Sequence, residues 1–333
     1  MNNLAELDEK LALFLRATPW TFKSRLTRLS GFGEHAWLKR DDELSFGISG
    51  SKLRKIAAQL HVWQTEKVSK LVAIGGLRSN HLVALAQVAR EFDLDLSLIF
   101  KVTSPPRAQK ILDSNLGNAF LINLLTTSDQ RYFCRDDNEV AEIIDRIKSQ
   151  YASEILRVLP EGGFGRSSLL GGVSLGAELL EHHEKHDVKH IFLDVGSGGL
   201  ALTCLYYLLA KLYTGTVHLV VMAAGFDFED RWNTVMNWFD DCEAPIPNRI
   251  SEHVKIHRPY TAASFGAVNR TVKNEILRIA REEGVLCDPC YNAKLLFTAR
   301  QIIRDDKLCR VLIVQSGGTT SLFGYQNNIL EAD

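Results

Sequence analysis

The sequence lacks any apolar run approaching the roughly 18–20 residues that a membrane-spanning helix needs. Its start, MNNLAELDEKLALFLRATPW, has no basic segment leading into an uninterrupted apolar stretch. Neither a membrane anchor nor a secretory leader is expected. Charge of one sign is lacking too: 39 Lys and Arg stand against 40 Asp and Glu, a net charge of −1. Electrostatics therefore give no basis for binding nucleic acid or an anionic membrane. Repeats, low-complexity tracts and linkers are absent, which excludes solenoid and fibrous architectures. Cysteine is sparse, at 6 of 333 residues. In so long a chain this points to free thiols in a reducing, cytoplasmic compartment. Cys287 and Cys290 form a C-x-x-C, but a helix end, turn and strand precede it, not the strand-to-helix setting of a redox pair. No second pair supplies zinc spacing, so no metal site is expected. The group His182, His183, His186 and His190 sits among Glu181, Glu184, Lys185 and Asp187, as a solvated helix end does.

What is present is alternation. Segments 36–42, 70–76, 94–102, 119–125, 154–163, 216–225 and 310–318 have the length and composition of strands. Segments 51–67, 79–93, 106–117, 138–151, 168–186, 265–283 and 299–306 have helical spacing, and 190–212 reads as strand, glycine turn and helix. Ser79 and Asn80 suit a helix start, and Gly117 a helix end. Strands alternating with helices imply parallel sheets covered on both faces, hence an α/β protein with open twisted sheets and flanking helices. The block 67–162 contains four βα units of its own. A large domain of residues 1–66 and 163–333, with a small nested α/β domain at 67–162, is the expected organisation.

The stretch SFGISGSKLRKIAAQL raises a chemical question. Lys52, Arg54 and Lys55 crowd the first turns of a helix, where the macrodipole disfavours each cation by roughly 0.3–1 kcal/mol. A lysine snorkelling at the surface is the plain explanation. The alternative is a functional amine. Four small-residue turns follow strands, at 75–80, 162–165, 196–199 and 317–320. The turn Gly196–Ser197–Gly198–Gly199 opens an apolar helix, and backbone N–H groups there could cradle a phosphate. It is neither a Walker loop nor a dinucleotide fingerprint. A lysine amine with a separate phosphate cup is what a phosphate-bearing aldehyde cofactor requires.

The motifs LKRDD (38–42), GSKLRK (50–55), GGLRSNH (75–81), LPEGG (159–163), VGSGGL (195–200), CDPCYNAK (287–294) and VQSGGTTSLFGY (314–325) occur in order over nearly the whole chain. Together they resemble the fold-type II pyridoxal-phosphate enzymes, in the branch holding D-cysteine desulfhydrase and 1-aminocyclopropane-1-carboxylate deaminase. The resemblance implies a tryptophan-synthase β-like architecture and pyridoxal 5'-phosphate as cofactor. Lys52 matches the Schiff-base lysine. Ser79, Asn80 and His81 match the helix start that receives the substrate carboxylate, with Asn80 also reaching the cofactor ring. Gly196, Ser197, Gly198, Gly199 and Leu200 match the phosphate loop. Tyr291 matches an aromatic residue beside the ring, and Asn292, Gly317 and Gly318 match its nitrogen side. Phe265 falls at a substrate-side position.

This chain departs from the pattern at several points. Ser51 stands for asparagine, and Arg78 for glutamine. Leu200 stands for a hydroxyl residue, losing a hydrogen bond of about 0.5–1.5 kcal/mol. Phe265 stands for tyrosine. Asn292 stands where the deaminases have glutamate and the desulfhydrases threonine; a neutral amide holds a ring proton less firmly than a carboxylate. The resemblance thus implies a homodimeric lyase or deaminase acting on a small amino acid, by α,β-elimination of a D-cysteine-like substrate. Cyclopropane opening and cofactor binding with little catalysis are the alternatives.

Overall fold

The computed structural model describes residues 2–45, 47–239, 250–262, 264 and 266–330; Phe265 and Cys242 lie outside them. The chain begins with α1 (Asn2–Ala17) and the antiparallel pair β1 (Leu26–Arg28) and β2 (Ala36–Lys39). There follow α2 (Gly50–Thr65), β3 (Lys70–Gly75), α3 (Asn80–Glu91), β4 (Asp95–Lys101), α4 (Pro105–Asp113), α5 (Asn118–Leu125), β5 (Arg131–Cys134), α6 (Asp137–Gln150) and β6 (Leu156–Leu159). The second half runs α7 (Leu169–His186), β7 (His190–Val195), α8 (Gly199–Ala210), β8 (Thr216–Val221), α9 (Phe228–Trp238), β9 (Val254–His257), α10 (Arg270–Glu283), α11 (Asn292–Asp305), β10 (Val311–Val314) and α12 (Gln326–Leu330).

The strands form two sheets. One has the order β5-β4-β3-β6 and is parallel throughout. The other has the order β1-β2-β10-β7-β8-β9, parallel except where β1 joins. This is the expected α/β class with flanking helices. The central strands are apolar because both faces are covered: Leu71, Val72 and Ala73 of β3 are fully buried, as are Leu312 and Ile313 of β10. Each buried Leu, Val or Ile side chain contributes roughly 1.5–3 kcal/mol. Helix α8 is buried along almost its whole length, which explains why its sequence, GLALTCLYYLLA, has no polar face.

Two expectations fail at one place. Residues 119–125 are not a strand but most of α5, and Gly117 does not end the preceding helix, which stops at Asp113. The run AFLINLL has a single polar residue, Asn123, too few for periodicity to separate strand from helix. Gly117 instead adopts φ +53° immediately before α5. The third strand of that sheet is the later, four-residue β5. The short edge strands β1 and β9 carried too few residues to show a period. Of the histidines, His182 and His186 stack loosely at the end of α7, whereas His190 belongs to β7 and bonds His218 at 3.2 Å. Cys287 and Cys290 are free thiols. Among the described residues no helix is long and apolar enough to cross a membrane.

Candidate active site

Strand ends and helix starts meet at one cavity of about 380 Å³. Its walls come from the start of α2, the β3–α3 and β7–α8 turns, and the segments after β6 and β10. These are carboxyl ends of parallel strands, where open α/β sheets bind ligands. Lys52, Ser79, Asn80, His81, Gly196, Ser197, Gly198, Leu200 and Tyr291 all line it. Gly199, Asn292, Gly317 and Gly318 are not among its lining residues.

Lys52 lies in the first turn of α2, which carries no acid and no side-chain cap. Its Nζ donates to Ser51 Oγ at 3.0 Å and stands 5.4 Å from the centroid of the Tyr291 ring. Burial lowers the Lys52 pKa, against the opposing pull of Asp194 and Asp288. One turn on, Lys55 Nζ donates to Gly162 O at 2.5 Å and approaches Ser197 Oγ at 3.4 Å. Burial, reinforced by the charge of Lys52, pushes Lys55 down to about 7. The third cation, Arg54, turns away into a buried ion cluster and has no part in the cavity.

Ser79 caps α3, accepting from the N–H groups of His81 and Leu82 at 3.2 and 3.3 Å. Asn80 is oriented by Asn118, whose Nδ2 donates to Asn80 Oδ1 at 2.7 Å. His81 is 1% exposed and both its ring nitrogens lack a partner, an expensive state for a buried imidazole. At the other turn, Gly198 has φ +93°, which only glycine adopts without strain. A Cβ there would lie 2.8 Å from Phe226. Helix α8 has no side-chain cap, so its first N–H groups are available at the cavity wall.

Asn292 does not take the place expected for it. Its Nδ2 donates to Asp288 Oδ1 and to Gly317 O, both at 2.6 Å, and its Oδ1 accepts from Ser316 N at 3.0 Å. The amide is committed to holding the turn after β10. Asp288 in turn accepts from the N–H groups of Cys290, Tyr291 and Asn292, each at 2.9 Å, and so caps α11. The sequence reading gave no site role to Asp194, Ser316, Glu161 or Tyr325, all of which line the cavity. Asp194 had a signal: a lone acid in the apolar strand HIFLDV, just ahead of a glycine turn.

The cavity fits a phosphate-bearing aldehyde. It offers a partly desolvated amine, an uncapped helix start flanked by a cation, and a buried imidazole without partners. The sequence pattern of the family described as pyridoxal-phosphate dependent enzyme matches residues 12–317. A D-cysteine desulfhydrase from Serratia proteamaculans is 26% identical over 341 residues, covering 97% of this chain and 99% of that one. Among solved structures, an ACC deaminase homologue superposes with a TM-score of 0.79 at 18% identity, over 97% of this chain and 99% of that one. The processed form of threonine deaminase isoform 2 from Solanum lycopersicum gives 0.62 at 16% identity, over 98% and 88%. With the fold-type II architecture in common and the family pattern running through most of its length, this chain belongs to the pyridoxal-phosphate dependent enzymes.

Proposed function

We propose that the enzyme catalyses α,β-elimination of a small, D-cysteine-like amino acid, releasing a 2-oxo acid and ammonia. The observation that carries this is the meeting of Lys52, the start of α3 and the start of α8 in one cavity. Bound pyridoxal phosphate supplies an aldehyde for an amine and a ring that accepts the electron pair left when a Cα–H bond breaks. Lys52 holds the cofactor, and its released amine removes the α-proton. Desolvation keeps that amine closer to neutrality, as a base requires. The N–H groups at Ser197, Gly198 and Gly199 receive the phosphate, with Lys55 beside them. Ser79, Asn80 and His81 receive the substrate carboxylate at the positive end of α3. Tyr291 packs by the ring, its ring atoms 3.2 Å from where a Gly196 Cβ would stand. The name of the Serratia relative supports this substrate.

Opening of 1-aminocyclopropane-1-carboxylate is the second reading, supported by the name of the structural neighbour. One panel decides between them. The protein with cofactor is given D- and L-cysteine, β-chloroalanine and the cyclopropane, and 2-oxo acid is measured. Elimination predicts turnover of β-substituted alanines above the cyclopropane; turnover of none would leave a cofactor-binding protein. Lys52→Ala should lose the near-visible absorbance of covalently held cofactor while keeping its circular dichroism. Retention of that band would rule Lys52 out.

We also propose that residues 67–162 form the smaller nested domain, on the support of the separate sheet β5-β4-β3-β6. A homodimer in the cytoplasm completes the reading. The exposed Phe120, Leu124 and Phe323 support association, and the free thiols support a reducing compartment. Sedimentation velocity at micromolar protein should give twice the chain mass.

A further inference from the structure

We propose that the cavity selects an amino acid whose side chain carries a second anionic group, a carboxylate or sulfonate, and that Arg78 recognises it. The inference rests on the elimination chemistry proposed above and narrows its substrate class.

Arg78 lines the cavity immediately ahead of Ser79, the cap of α3. Its backbone is fixed, because Asn118 Nδ2 donates to the Arg78 carbonyl at 2.9 Å. Its guanidinium lies over the Tyr325 ring, 5.5 Å from the centroid, and bonds the Tyr325 side chain. Among the described residues no carboxylate pairs with it. Arg78 is exposed, whereas the buried arginines are paired: Arg54 meets Asp41 and Glu178, and Arg40 meets Asp42. Lys52 and Lys55, the other cations of the cavity, already have work, at the cofactor and at Gly162 and Ser197. Arg78 is left exposed at the cavity with the Tyr325 side chain as its acceptor and no carboxylate paired with it.

His81, whose ring packs against Gly163, is a second sign that the cavity awaits a ligand. It is buried, lines the same cavity and leaves both ring nitrogens unpartnered. A substrate with its α-carboxylate on the N–H groups of α3 would bring a side-chain anion within the sweep of a residue one position upstream. A planar guanidinium suits such an anion, since it can bond two oxygens at once. The reaction balances without a co-reactant beyond water. The α-proton leaves to Lys52, the Cβ–S bond breaks with its electron pair going to the thiolate, and hydrolysis gives 2-oxo acid and ammonia.

The test pairs S-carboxymethylcysteine with S-ethylcysteine, each as both enantiomers, on the enzyme with cofactor. Thermal stabilisation by each compound is measured alongside 2-oxo acid release. The carboxymethyl compound should show the lower KM and the larger stabilisation. Arg78→Gln should raise its KM about 10- to 100-fold more than that of S-ethylcysteine, the scale of a charge-assisted hydrogen bond. Arg78→Lys should recover part of the difference. Equal losses for both compounds would place Arg78 on the α-carboxylate and overturn the proposal, as would a wild-type preference for S-ethylcysteine. Failure to turn over either compound would count against elimination itself. The stabilisation difference would then still decide whether Arg78 selects an anion.

Discussion

Asp194, next to last in β7, is the strand's lone acid, and it lines the same cavity as Lys52 and Tyr291. Burial raises its pKa, and a hydrogen bond from Ser316 with the charge of Lys52 pulls the other way. On Lys52 the signs are reversed: burial lowers the amine, and Asp194 is the first group to oppose it. Burial thus works against the charged form of each group, and the charge of each favours the charged form of the other. Asp194→Asn removes a carboxylate that favours the ammonium form, so the Lys52 pKa should fall further. Capture of cofactor by the stripped protein needs the neutral amine. Its rate against pH should therefore reach half-maximum at a lower pH in the variant than in the wild type. The measurement is absorbance on mixing with pyridoxal phosphate; an unmoved midpoint would mean that Asp194 is protonated throughout and does not govern Lys52. At Asn292 the sequence position was legible, but the direction of the side chain was not. Its amide faces Asp288 and Gly317 because α11 needs its cap and the turn after β10 needs an anchor.

Helix α2 shows how three cations can share a helix start when each has a different destination. Lys52 and Lys55 face the cavity, while Arg54 enters a buried cluster with Lys39, Asp41 and Glu178. Arg54 bonds Asp41 at 2.7 Å, Glu178 at 2.9 Å, Ser174 at 3.0 Å and the Phe22 carbonyl at 3.0 Å. Burial alone would raise the Asp41 carboxyl, but Arg54 and Lys39 hold it well below the usual carboxylate range. The motif LKRDD thereby has a structural meaning: Lys39 and Asp41 join α2 to β2 and α7. Arg54→Met leaves this set one positive charge short and should cost about 3–5 kcal/mol, read as a lower urea midpoint. A loss below 1 kcal/mol would show the cluster to be solvated in solution. Spacing exposed the helix and the lysines, since that information is local. It could not show which cation was buried, because the partner Glu178 lies 124 residues away. Helix α5 was illegible for the opposite reason, being apolar but for Asn118 and Asn123 and only eight residues long.

Across the whole molecule, strand–helix alternation made the α/β architecture with parallel sheets readable, though not the edge strands β1, β5 and β9, and small-residue turns at strand ends marked where the cavity would open. What no local pattern could give is how the chain from the four-stranded sheet meets the C-terminal turn. That meeting is a close backbone approach: a Cβ on Gly117 would lie 2.8 Å from the Cα and N of Gly324. Beside it, Asn118 bonds Asn80 on one side and accepts from Thr320 at 3.4 Å on the other. The contact therefore sets both the closure of the cavity and the orientation of Asn80. Gly117→Ala should disturb it in two ways, through a strained φ of +53° and through the clash. Gly284→Ala separates them. Gly284 also has positive φ, +66°, but a Cβ there meets nothing within 4 Å. From the backbone alone Gly284→Ala, at αL, should lose about 1 kcal/mol of stability, and Gly117→Ala, at ψ −127°, about 1–3 kcal/mol. Only Gly117→Ala should also raise the KM for the β-substituted substrate and weaken retention of the cofactor on dialysis. If the two variants match in KM and cofactor retention, the approach of Gly117 to Gly324 does not hold the cavity closed. A KM change confined to Gly117→Ala would tie the seam between the two halves of the chain to the site it covers.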